Sequence, residues 1–121
     1  MRNSLNKIIV TGIIAGMVIG LAWKGEANSP TKIQLTYDKE KKLLHVVVKH
    51  VAHNMRKHYI RKINVSRNDE VPVPYHFAKQ TSADELIADV PLEAVANDVI
   101  KVKAICSEAG NAEESLVLPA E

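Results

Sequence analysis

Residues 43–50 read Leu-Leu-His-Val-Val-Val-Lys-His, and this stretch decides the fold class. A run rich in valine is typical of a β-strand, and successive side chains of a strand point to opposite faces of its sheet. The even-numbered positions predict a row that faces the core: Leu44, Val46 and Val48. His50 continues this row, whereas His45 has the opposite parity and is predicted to face solvent.

Similar patterns recur on both sides of this strand. Alternating or β-branched apolar residues predict further strands at 33–37, 58–66, 71–77, 86–90, 99–106 and 114–118. Pro72 and Pro74 restrict the segment 71–77 to an edge strand, because proline has no N–H group to donate to a ladder. Short strands, turn signals every eight to twelve residues or so and no long helix predict an all-β fold, an antiparallel β-sandwich of immunoglobulin type.

The N-terminal segment has a different character. Arg2 and Lys7 precede an uncharged run at 8–23, which is 16 residues long, whereas a membrane span needs about 20. We therefore expect residues 1–27 to be a secretory signal cleaved after Ala27, with a retained membrane anchor as the alternative. In both cases the domain at 28–121 is expected to be exported, either to the periplasm or attached to the membrane and facing away from the cytoplasm.

Charge narrows the class of partner. The chain has 16 basic and 14 acidic residues, and the segment 1–27 holds three of the basic and one of the acidic ones, so 28–121 carries thirteen of each. A neutral domain gives no reason to expect a nucleic acid or an anionic membrane as the main partner.

The basic residues are nevertheless unevenly distributed. Five of them surround the histidines with no acid among them, and we call this set the basic collar: Lys49, Arg56, Lys57, Arg61 and Lys62. It predicts either a surface that attracts small anions or simply a solvated basic face.

The residues that carry chemistry are three histidines within nine positions, His50, His53 and His58, and the single Cys106. One cysteine in an exported chain cannot form an intramolecular disulfide, so Cys106 is a buried thiol, a metal ligand or an intermolecular partner. Imidazole and thiolate groups together are ligands that hold a redox-active transition metal such as iron or copper. These four residues are our candidate metal ligands, and the alternative is that they are packed or solvated without a metal.

Three segments carry a family resemblance: Lys-His-Val-Ala-His at 49–53, His-Tyr-Ile with Lys-Ile behind it at 58–63, and Ala-Ile-Cys at 104–106 before Gly110. Together they resemble the iron-binding domain of desulfoferrodoxin, the catalytic domain of superoxide reductases. The resemblance implies an immunoglobulin-like sandwich in which histidines and one cysteine hold a mononuclear non-haem iron that reduces superoxide to peroxide. It implies Cys106 as the axial thiolate and His58 as an equatorial ligand. His50 or His53 would be a second histidine, and strand parity favours His50.

The chain also departs from the family pattern. The family's Cys-x-x-His-Gly reads Cys-Ser-Glu-Ala-Gly at 106–110, so Ala109 occupies a histidine position, and the family's Glu-Lys-His-x-Pro segment has no counterpart. His76 and Glu108 are the remaining candidate donors by residue type. The alternative function is a metal-free accessory or protein-binding module. Its basic collar would contact an acidic partner, for example the acidic C-terminal half of a second copy.

Overall fold

The computed structural model describes residues 30, 32–52 and 54–121, and this part of the chain contains strands but no helix. The strands are β1 (Lys32–Asp38), β2 (Leu43–Lys49), β3 (Ile60–Arg67), β4 (Val73–His76), β5 (Glu85–Pro91), β6 (Val99–Cys106) and β7 (Asn111–Val117). The all-β prediction is confirmed. The expected signal or anchor at 1–27 lies outside the described residues, and no described helix is long and apolar enough to cross a membrane.

The strands form two antiparallel sheets, one with the order β1-β2-β5 and the other with the order β4-β3-β6-β7. β4 lies at an edge, as its prolines predicted. Pro74 is the register partner of Asn64 on β3, and its missing N–H group makes the free edge of β4 a poorer template for pairing with another chain.

Both sheets contribute their inward rows to one hydrophobic core. The row predicted from β2 is fully buried, and it shares the core with Ile100 and Val102 of β6. Burial of a valine or leucine side chain is worth about 1.5–3 kcal/mol. His45 is exposed, as expected from its parity, and its Nδ1 lies 2.6 Å from Asp89 Oδ1 on β5.

A β-bulge shapes the start of β3. Ile60 and Ile63 are both fully buried, although residues three positions apart point to opposite faces of a regular strand. The register with β6 shifts between Ile60 and Lys62, which leaves Arg61 as the extra residue. The Arg61 carbonyl accepts a hydrogen bond from Phe77 N at 2.9 Å. Because Ile60 then pairs with Cys106, the bulge fixes the beginning of β3 beside the end of β6.

Candidate metal centre

Three candidate ligands meet where three strands end or begin. His50 directly follows β2, His58 precedes β3, and Cys106 is the last residue of β6. Their exposed fractions are 1%, 8% and 3%. One donor atom from each residue can be chosen so that all three atoms lie within 4.8 Å of one another. The structure therefore brings together three of the four residues selected from the sequence, and their role as ligands stays a prediction.

The other candidate donors have different positions. His53 lies outside the described residues. His76 is exposed on the edge strand β4, and Glu108 is exposed in the loop after β6. Among the residues that the structure describes, the metal-competent group contains neither of them.

The spacing of the donors fits one metal ion. His50 Nε2 and His58 Nε2 are 3.1 Å apart, and their rings are nearly perpendicular, with an interplanar angle of 88°. Two nitrogens that share one ion at about 2.1 Å each must lie within about 4.2 Å of each other, and the two Nε2 atoms meet this condition. The Cys106 sulfur would complete a three-donor group that spans at most 4.8 Å. Two imidazoles and a thiolate suit zinc, copper or iron.

A short turn returns the chain to the site between His50 and His58. The Asn54 carbonyl accepts hydrogen bonds from Lys57 N at 3.1 Å and His58 N at 2.8 Å. The Asn54 side-chain oxygen accepts another from Arg56 N at 3.1 Å. An asparagine that bonds the backbone two residues ahead is a common turn former. Asn54 thereby determines the position at which His58 enters the buried site.

Ser107, the residue directly after Cys106, forms hydrogen bonds with both sequence neighbours of His58. Its hydroxyl donates to the Lys57 carbonyl at 2.7 Å and accepts from Tyr59 N at 3.1 Å. Its backbone N–H donates to the Tyr59 carbonyl at 2.8 Å. These bonds hold the thiol and the His58 imidazole in a fixed relation. No sequence pattern points to this contact, because the partners are about fifty positions apart.

Gln80 is a second residue at the site that sequence reasoning missed. It is 2% exposed, and its side-chain oxygen contacts His50 Nδ1. It lies between β4 and β5, in a connection that contributes no candidate ligand.

The basic collar keeps most of its charge unpaired. Lys49 Nζ lies 2.5 Å from Glu85 Oε1, and this hydrogen bond raises the pKa of Lys49. Arg56, Lys57 and Arg61 are exposed, and Lys62 is half-buried. Within the described ranges, no acidic side chain forms an ion pair with any of these four. The segments that carry His50 and His58 therefore present net positive charge.

Comparison with known proteins gives one distant likeness. No protein-family model matches the chain, and no curated protein matches it. Among solved structures, the chain is similar to the superoxide reductase from Nanoarchaeum equitans, with a TM-score of 0.43 and 16% sequence identity. The similarity covers 77% of this chain and 96% of that one.

Proposed function

We propose that the domain binds one transition-metal ion through His50, His58 and Cys106, and that with iron it acts as a superoxide reductase-like oxidoreductase. The main support for this proposal is that three buried donor side chains from three separate segments converge, with the Nε2 atoms of His50 and His58 3.1 Å apart. On this proposal the fold is a desulfoferrodoxin-like sandwich of immunoglobulin type.

Burial supports metal binding over the metal-free module. Buried imidazoles must be hydrogen-bonded or bound to a metal, because an unsatisfied polar group in an apolar interior costs free energy. Apolar side chains at positions 50, 58 and 106 would serve a purely structural role at lower cost. In the metal-free protein the two imidazoles contact each other through their Nε2 atoms, and a shared ion would replace this contact with a bond to each ring and one to the Cys106 sulfur.

The chain's own residues then have distinct roles. Bound iron supplies one-electron chemistry, by which superoxide takes up one electron and two protons and becomes hydrogen peroxide. Cys106 would hold the ion through its sulfur, and His50 and His58 would hold it through ring nitrogens that add no negative charge, so the centre would keep net positive charge. The basic collar attracts superoxide or another small anion by its field. The electron comes from a separate donor.

With three protein ligands, further coordination positions on the ion would remain open to water or substrate. Protein sites that keep three ligands are typically those at which water or substrate takes an additional place. Ala109 contributes no donor, so the proposed site is more open than the family pattern quoted above. From the N-terminal sequence pattern we further propose that this activity lies outside the cytoplasm, with 28–121 as the working domain and 1–27 as its signal or anchor.

The test is superoxide consumption by the iron-loaded protein, measured against free iron at the same concentration. We expect a rate well above that background, abolished in Cys106→Ser and retained in His45→Ala, which removes an exposed histidine of β2 that faces away from the core. A rate equal to the background, or an equal rate in the Cys106→Ser protein, would contradict the proposed activity. In that case a binding module becomes the better account.

A further inference from the structure

Gln80 uses the full hydrogen-bonding capacity of its amide. Its oxygen accepts from Ile60 N at 2.9 Å and contacts His50 Nδ1. Its nitrogen donates to the His50 carbonyl at 3.1 Å and to the Ser82 carbonyl at 3.0 Å. A glutamine amide offers two donor hydrogens and two acceptor lone pairs, so no capacity is left over.

The backbone partners determine which end of the amide is oxygen. Ile60 N–H can only donate, and the carbonyls of His50 and Ser82 can only accept. The amide oxygen must therefore face Ile60 N and His50 Nδ1, even though an amide's orientation is always assigned from such a network. Because this oxygen only accepts, His50 Nδ1 must carry the hydrogen.

The hydrogen on His50 Nδ1 determines the state of the other ring nitrogen, Nε2. A neutral imidazole carries one hydrogen, so His50 Nε2 keeps its lone pair. This is the atom that lies 3.1 Å from His58 Nε2. A metal-binding histidine commonly donates its other N–H to an acceptor, which fixes both the ring orientation and the tautomer.

We propose that Gln80 is the positioning residue of the metal site: its amide holds His50 in the Nδ1–H tautomer and aims Nε2 at the ion. This role rests on the proposed metal binding. The same amide bonds Ile60, the residue in register with Cys106, and so joins the end of β2 to the start of β3. Gln80 itself does not touch the ion or the substrate.

The experiment combines two measurements on the full chain. The tautomer of His50 is read from ring-nitrogen chemical shifts in the metal-free protein, and metal affinity is read by competition with a chelator, with ferrous iron and zinc as probes. Gln80→Leu keeps the approximate size and removes the hydrogen bonds. Val65→Ala is the matched control, because it removes a buried side chain of β3 (3% exposed) whose neighbours are core residues.

We expect the Nδ1–H tautomer in the wild-type protein and in Val65→Ala. In Gln80→Leu we expect a mixture of tautomers and an affinity that is lower by about 10–100-fold. Gln80→Glu keeps an acceptor for His50 and should retain the Nδ1–H form, which separates a positioning role from a merely structural one.

Two results would overturn this role alone. One is a wild-type His50 that carries its hydrogen on Nε2, which can be observed whether or not any variant folds. The other is a Gln80→Leu protein that binds metal within about twofold of wild type. A wild-type protein with the Nδ1–H tautomer that binds neither ion would instead overturn the proposed function, and with it the need for a positioning residue.

Discussion

Replacing Gln80 with leucine should destabilise the metal-free protein by about 1–5 kcal/mol. The substitution leaves three buried groups without their partner: Ile60 N–H, His50 Nδ1–H and the His50 carbonyl. The Ser82 carbonyl is only partly buried and can turn to water. At about 1–2 kcal/mol for each buried group, the loss is about 3–6 kcal/mol. Burial of the leucine side chain recovers about 1–2 kcal/mol of it.

The assay is urea unfolding at neutral pH with a chelator present, so that bound metal does not contribute to stability. In a domain of this size, each 1 kcal/mol corresponds to about 4–8 °C in Tm, and a parallel thermal scan should show Tm lower by about 4 °C or more. Val65→Ala, which creates a cavity, should cost about 2 kcal/mol and calibrates the measurement. A loss below about 1 kcal/mol in Gln80→Leu would refute the reasoning, because the three groups would then have other partners.

Three further substitutions test separate features. Burial raises the pKa of the Glu114 carboxyl above its ordinary 4.5, so the charged form costs stability as the pH rises through that range. Because the carboxyl is only partly buried and water screens its charge, Glu114→Gln should add no more than about 0.3 kcal/mol at pH 7 and nothing at pH 3 in urea unfolding, and equal gains at both would contradict this. Gly110 has φ 96°, and Gly110→Ala should cost about 1–2 kcal/mol; an unchanged Tm would speak against the turn geometry. Ala109→His puts a histidine where the family pattern quoted above has one, and on the proposed function it should tighten iron binding about tenfold, which is about 1.4 kcal/mol. Unchanged chelator competition would reject that correspondence.

Much of the fold can be predicted from the alternation of inward-facing and outward-facing side chains along the strands. The bounds of β6 coincide with the strand predicted at 99–106, and the inward row of β2, including His50, is buried as its alternation requires. The strand predicted at 58–66 begins too early, because residues 58 and 59 belong to the turn held by Asn54 and Ser107. The odd spacing of Ile60 and Ile63 was a signal for the bulge, since a regular strand cannot bury both.

The site was only partly predictable. His50 continues the inward-facing row of β2 and Cys106 ends the inward-facing row of β6, so the burial of both side chains follows from strand periodicity. Gln80 could not be found in this way. Its partners His50 and Ile60 are 30 and 20 positions away, and it lies in an irregular connection where periodicity carries no information. Long-range hydrogen bonds of this kind depend on how loops fold back after the sheets have formed.

The most direct test of the account is the metal content of the protein after anaerobic loading with ferrous iron and removal of excess metal. Wild type and the His45→Ala control should each retain a single ion per chain and, once oxidised, show the visible absorption of cysteine-to-iron charge transfer. Cys106→Ala and His58→Ala should retain none. Absence of bound metal from the wild-type protein, or equal content in all four proteins, would contradict the claim that these buried residues form a metal site.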